Sequence, residues 1–139
     1  LGDVYKRQAI VRPHGGPADH YLNQWDGLAQ YFLAKGYTFL TPNFRGSTGY
    51  GRDFEHANYN DWGVGDTQDV LHGARYLHTV GVDPARIGIL GSSYGGYMVA
   101  CCWPATRSTS SPVASASTAT PTSTRRGHSA SGQRASTPR

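Results

Sequence analysis

Ser93 stands in the stretch GSSYGG (91–96), with Gly91 two residues before it and Gly95 two residues after it. At this G-x-S-x-G spacing a serine can be presented as a nucleophile. Placed where a strand turns into a helix, it sits on a tight, strained backbone, and its flanking positions must be glycine because a Cβ there would strike strand or helix backbone. The turn pushes the hydroxyl into the open and aims the first N–H groups of the helix at the oxygen that becomes negative in acyl transfer. The N–H of Tyr94 is the expected first donor. Ser92 lacks glycine at both offsets and is expected to be a small packing residue. A glycine-rich turn that holds phosphate is the competing reading, and it lacks the lysine of a nucleotide loop.

A second stretch, HGGP (14–17), offers the other half of such a site. Two adjacent glycines leave backbone N–H groups unobstructed, and loops of this type after the third strand of an α/β-hydrolase sheet supply a second oxyanion donor. Gly16 is the expected donor. His14 precedes the serine, the wrong order for a general base in that fold, and is expected to hold the loop through hydrogen bonds. A plain β-turn is the alternative for the whole stretch.

These residues need strands and helices to position them. Residues 9–12 form a short strand candidate that runs into the glycine pair. Trp25, Leu28, Ala29 and Phe32 recur at helical period, and Gly36 stands where a left-handed cap would end that helix. YTFLTP (37–42) is β-branched and aromatic and is stopped by Pro42. Residues 43–65 read as a long loop with one short helix, and loops of that length are often functional. Asp66 is placed to cap a helix with Asp69 at its third position and Val70, Leu71, Ala74 and Leu77 on its buried face. Asp83 and Pro84 turn the chain into a strand that delivers it to Gly91. Strands alternating with helices predict a mainly parallel sheet flanked by helices.

Charge separates the chain into parts. The 139 residues carry a formal charge of +4, yet residues 9–100 hold six Lys/Arg against eight Asp/Glu, and residues 101–139 hold five Arg and no acid. The basic character, ordinarily a sign of a nucleic-acid partner, therefore lies outside the part that reads as folded. The two cysteines, Cys101 and Cys102, are adjacent and poorly placed to staple distant segments or to cage a metal. No apolar run reaches the length of a membrane span.

VRPHGGP, YFLAKGYTFLTPNFRGSTGYG, DWGVGDTQDV and VDPARIGILGSSYGGYM, in this order and spacing, resemble the catalytic domain of the prolyl oligopeptidase family of serine peptidases. The likeness is to its acylaminoacyl-peptidase and dipeptidyl-peptidase-like branch and covers about residues 9–100. It implies an incomplete α/β-hydrolase fold, hydrolysis of short peptides through an acyl-enzyme on Ser93, a Ser, Asp, His triad and no cofactor or metal. Within NFRGSTGYG (43–51) Arg45 is expected to brace the loop, with a contact to a substrate carbonyl as the alternative. Trp62 and Gly63 are expected to anchor it by packing, and Asp66 and Asp69 to serve only as helix caps.

The triad cannot be completed after Ser93. The order in this fold is Ser, then Asp or Glu, then His, but every acid lies at or before Asp83 and only His128 follows the serine. A serine without a base is a weak nucleophile near neutral pH. The expected organisation is a non-native leader (1–8), the N-terminal part of a peptidase catalytic domain (9–100), and a tail (101–139) that is frameshifted or disordered. In that tail 16 of 39 residues are Ser or Thr, and no regular period survives beyond Trp103. The partner expected is a short peptide, with no nucleic acid and no membrane. An α/β-hydrolase esterase and a non-enzymatic scaffold with a basic arm are the other two readings.

Overall fold

The computed structural model describes residues 7–108 and 118–119, with side chains to residue 102. The expected leader therefore lies mostly outside the described residues, as does most of the expected tail. The first strand, β1 (Arg7–Val11), begins two residues before Ala9, and Arg7 pairs with Val82. It is followed by α1 (Gly27–Ala34), β2 (Thr38–Leu40), α2 (Arg52–His56), α3 (Gly65–Thr79) and β3 (Val82–Ile89). Then come the two-residue β4 (Gly91–Ser92), α4 (Tyr94–Ser108) and β5 (Thr118–Ala119), which pairs with β4 in parallel.

The main sheet is parallel throughout, with strand order β2-β1-β3. Both crossovers carry helices, as a parallel pairing demands. Side chains alternate across a strand, so β1 and β3 each present one set of residues to each face. Ala9, Val11, Ile87 and Ile89 point to the face covered by α3 and α4, where they meet Val70, Leu71, Ala74 and Leu77 of α3 with Met98, Val99 and Cys102 of α4 in one buried cluster. The four apolar positions read on α3 are thus its buried face.

The other face is thinly covered. In α1 no residue is fully buried, Trp25 precedes the helix and is 80% exposed, and Leu28 is exposed as well. The helical period predicted for this stripe is present, but only Ala29 and Phe32 of it turn toward the sheet; Phe32 stacks on Phe39 of β2 at 5.8 Å. Asp26 starts the helix, its carboxylate accepting the Leu28 and Ala29 N–H groups and the Arg12 guanidinium. Gly36, at φ 82°, ends it: the Gly36 N–H reaches Leu33 and the Tyr37 N–H reaches Phe32, the paired bonds of a left-handed cap.

Three expectations need correction. Asp66 is not the cap of α3 but its second residue, completely buried, its Oδ1 accepting the N–H groups of Gly63 and Thr67. Asp69 does not cap either; it holds Arg45. The regular structure also continues past Trp103, because α4 runs to Ser108 and Thr118–Ala119 is a strand. Helix propagation is easier than nucleation, and the buried Met98, Val99 and Cys102 secure the turns from which the later ones extend.

Candidate active site

Ser93 sits between β4 and α4 with φ 54°, one of two non-glycine residues in the left-handed region among those described. Its side chain is exposed, and its carbonyl accepts the Tyr97 N–H, so the serine forms the entrance to α4. The flanking glycines are required by contact. A Cβ on Gly91 would lie 2.4 Å from the carbonyl carbon and oxygen of Gly95, and one on Gly95 would lie 2.4 Å from the Pro13 carbonyl oxygen. The first contact is with helix backbone and the second with the loop just past β1, so the two glycines close the turn on itself and onto that loop. Ser92 is exposed rather than packed, a correction to the expected role.

The second half of the site arrives by strand pairing. Val11 is opposite Ile89, and Gly15 and Ser93 each lie four residues beyond that pair. They meet: a Cβ on Gly15 would be 3.5 Å from the Ser93 Cβ and 3.8 Å from its Oγ. The glycine in contact with the serine is therefore Gly15, while Gly16, the expected donor, follows at φ 116°. Gly16 N–H and Gly15 C=O belong to one planar trans peptide and point in opposite directions. His14 Nδ1 holds that carbonyl at 2.6 Å, which fixes where the Gly16 N–H aims.

His14 is buried, as expected of a residue that holds the loop. Its Nδ1–H donates to Gly15, which leaves Nε2 as the acceptor for the Ser47 hydroxyl at 2.7 Å; the hydroxyl also faces the Phe44 carbonyl at 2.6 Å and has one proton for the two. The ring stacks on Phe44 at 4.2 Å. Burial lowers the imidazole pKa, against the Gly15 hydrogen bond that would raise it. With both ring nitrogens engaged, His14 has none to offer Ser93.

The loop NFRGSTGYG pins this arrangement residue by residue. Asn43 accepts the Tyr21 N–H through Oδ1 and donates through Nδ2 to the Tyr21 carbonyl, so its amide pairs with backbone as a neighbouring strand would. Ser47 holds His14, Thr48 Oγ1 lies 2.7 Å from His20 Nδ1, and the Thr48 N–H donates to the Asp19 carbonyl. Arg45 braces the loop against α3: Nε and Nη2 donate to the two oxygens of Asp69 at 2.7 and 2.8 Å, and its backbone N–H adds a third bond. Burial would raise the Asp69 pKa, but the hydrogen bonds from Arg45 outweigh it and hold the carboxyl below its ordinary value.

The side chain of Tyr94 carries contacts that the sequence reading missed. Its hydroxyl donates to Oδ2 of Asp66, and its buried ring lies against Trp62 at 5.3 Å and Phe44 at 6.2 Å. Burial, then the neighbouring carboxylate, push the phenol pKa far up. Trp62 is half-exposed and reaches Tyr94 edge-on, and Gly63 lies under the Tyr97 hydroxyl, where a Cβ would be 2.4 Å away, so both anchor the loop by packing. Nothing local in the sequence signals an Asp66–Tyr94 pair 28 residues apart. Cys102 is buried with its thiol pushed up to about 12 by that burial, which makes it unreactive. Among the described residues no group of three or more His, Cys, Asp or Glu could hold a metal, and no helix is long and apolar enough to cross a membrane.

A parallel sheet flanked by helices, with a strained serine at a strand-to-helix turn, defines the class: this is an open, partial α/β-hydrolase fold of the peptidase type. Residues 23–119 match the prolyl oligopeptidase family. The chain belongs to that family. It is 36% identical over 89 residues to dipeptidyl aminopeptidase BIII of Pseudoxanthomonas mexicana, which covers 63% of this chain and 13% of that protein. To the acylamino-acid-releasing enzyme of Sus scrofa it is 31% identical over 90 residues, 64% of this chain and 12% of that one. Among solved structures, the puromycin-hydrolyzing peptidase of Mycobacterium tuberculosis superposes with a TM-score of 0.69 at 33% identity over 73% of this chain and 16% of that chain. The acylaminoacyl peptidase of Pyrococcus horikoshii does so with a TM-score of 0.68 at 37% identity over 72% and 17%. The chain thus spans only a small part of the length of these relatives.

Proposed function

We propose that this chain is the nucleophile-bearing front part of the catalytic domain of a longer serine peptidase, and that Ser93 attacks the carbonyl of a short peptide to form an acyl-enzyme. The observation that carries the reading is the φ of 54° at Ser93 between two glycines with no room for a Cβ. Strain of this kind persists where the surroundings over-determine it, and it exposes Oγ at a helix N-terminus. In the attack, Oγ bonds to the carbonyl carbon, its proton passes to a base, and the carbonyl oxygen becomes an oxyanion between the N–H groups of Tyr94 and Gly16. The engaged nitrogens of His14 support the expectation that the base comes from outside the described residues. Residues 7–108 are then the peptidase segment, since Arg7 pairs with Val82 and α4 runs to Ser108, and the 139-residue chain alone is inactive.

The names of the relatives suggest substrates with a free or acylated amino end joined through an amide. The experiment is to express the full-length protein and compare hydrolysis of dipeptidyl and aminoacyl amides with that of simple esters, beside a Ser93→Ala variant. Amide hydrolysis that disappears in Ser93→Ala supports the reading. Activity on esters alone points to an esterase, and activity that survives Ser93→Ala overturns the assignment. Genomic sequence across both ends is expected to add an Asp and a His after Ser93 in one reading frame.

A further inference from the structure

Ser93 and its two glycines account for the nucleophile, but not for the buried polar contact that begins α4. Tyr94 is the residue whose N–H stands next to the nucleophile, and its side chain is tied by the hydroxyl to Asp66. Asp66 is itself immobilised, completely buried, with Oδ1 holding the N–H groups of Gly63 and Thr67 at the start of α3. A carboxylate buried this fully is costly to keep unless each oxygen is engaged. The Tyr94 hydroxyl engages the second one.

The ring between hydroxyl and backbone is clamped too. Phe44 lies on one side of Tyr94 and stacks in turn on His14, the residue that holds the Gly15 carbonyl. Rotation of the Tyr94 N–H away from the oxyanion position would carry the ring out of this stack and lift the hydroxyl from Asp66. We propose that Asp66 is a positioning residue of the oxyanion site: through the Tyr94 hydroxyl it fixes the N–H beside the nucleophile, and through the Tyr94–Phe44–His14 stack it sets the distance from that N–H to the glycine loop. This rests on the reading of Ser93 as nucleophile with Tyr94 and Gly16 as donors.

The test uses the full-length protein with Tyr94→Phe, which keeps the ring and removes the hydroxyl. Asp66→Asn is the second variant; it keeps an acceptor for Gly63 and Thr67 but puts an NH2 donor where Oδ2 accepted the Tyr94 hydroxyl, so the charge-assisted bond is lost. For each, kcat and KM on a dipeptidyl amide are measured beside the inhibition constants of two ligands. One is a peptidyl aldehyde, whose serine adduct carries an oxyanion; the other is a peptide of the same sequence that forms no adduct. The expected result is a fall of about 10- to 100-fold in kcat and a proportionate loss of aldehyde affinity, with KM and peptide affinity within about twofold. Unchanged kcat, equal weakening of aldehyde and peptide, or failure of both variants to fold overturns the proposal, the last two because they assign Asp66 to the fold alone. Failure of the underlying reading is distinct: the unmodified protein and Ser93→Ala would then hydrolyse the amide equally, and the inference would fall with it.

Discussion

Gly91 and Gly95 show how strictly single positions of the elbow are specified. An added methyl would meet backbone in both cases, which cannot swing aside as a side chain can. Gly91→Ala and Gly95→Ala are each expected to lower unfolding free energy by about 2–3 kcal/mol in denaturant titrations, an overpacking cost. A loss under about 0.5 kcal/mol would show that the turn yields. His14 gives a pH prediction. Burial lowers its pKa in the folded state from 6.5, so the unfolded chain binds more protons just below that value. Its contribution to stability is present above pH 6.5 and is lost as pH falls through the lowered folded value. His14→Gln should flatten the unfolding midpoint against pH between about 5 and 7, and an equally steep profile in the variant would count against this. At this scale the strained turn at Ser93, the need for its glycines and the bond from His14 to its own loop were legible, because each follows from chemistry within a few residues. Asp66 was not, because its partner is brought to it only by packing of α3 against α4.

Elements were legible where one face is fully buried. The stripe on α3 is its buried face, whereas the stripe read on α1 told the period but not the burial, since Leu28 and Trp25 stay exposed. The long loop was recognisable by its composition, but its meaning lies in contacts to other segments: Asn43 to Tyr21, Ser47 to His14, Thr48 to Asp19. Arg45 and Asp69 join this loop to α3, and their side chains are 38% and 26% exposed, so water screens the pair. Arg45→Met is expected to cost about 1 kcal/mol, in the low range for hydrogen bonds to charged groups. Because the Asp69 pKa is lowered from 3.8, that contribution is present above pH 3.8 and lost as pH falls through the folded value. Urea unfolding at pH 7 and at pH 3 measures it, and an equal cost at both would exclude the ion pair as the source.

At the scale of the molecule, β1 is central, while β2 and β3 each have, among the described residues, no strand on their outer side. Exposed strand edges invite pairing with other chains. Trp25, Tyr31 and Leu33 of the α1 region are also 80%, 58% and 49% exposed, apolar side chains that add to the tendency to associate. The 139-residue chain expressed alone should therefore self-associate, with light scattering that rises with concentration and falls in a Trp25→Glu, Tyr31→Glu variant. A monomer at all concentrations would refute this. The parallel architecture was legible from the alternation of strands and helices. The strand order was not, since it depends on which crossover returns to which edge.

That order carries one more consequence. The serine and the glycine beside it are gauged from the same rung, Val11 opposite Ile89, and each is reached by the same number of residues. A residue inserted between Val11 and Gly15, or between Ile89 and Ser93, would throw the two out of step by about 3.3 Å, more than a donor can lose and still reach an oxyanion. An insertion in the turn between α1 and β2 would leave the rung untouched. Tolerance of length change in this chain should therefore follow distance from that rung and not distance along the sequence from Ser93, so that evolution can lengthen its connections freely while counting residues strictly on two short runs.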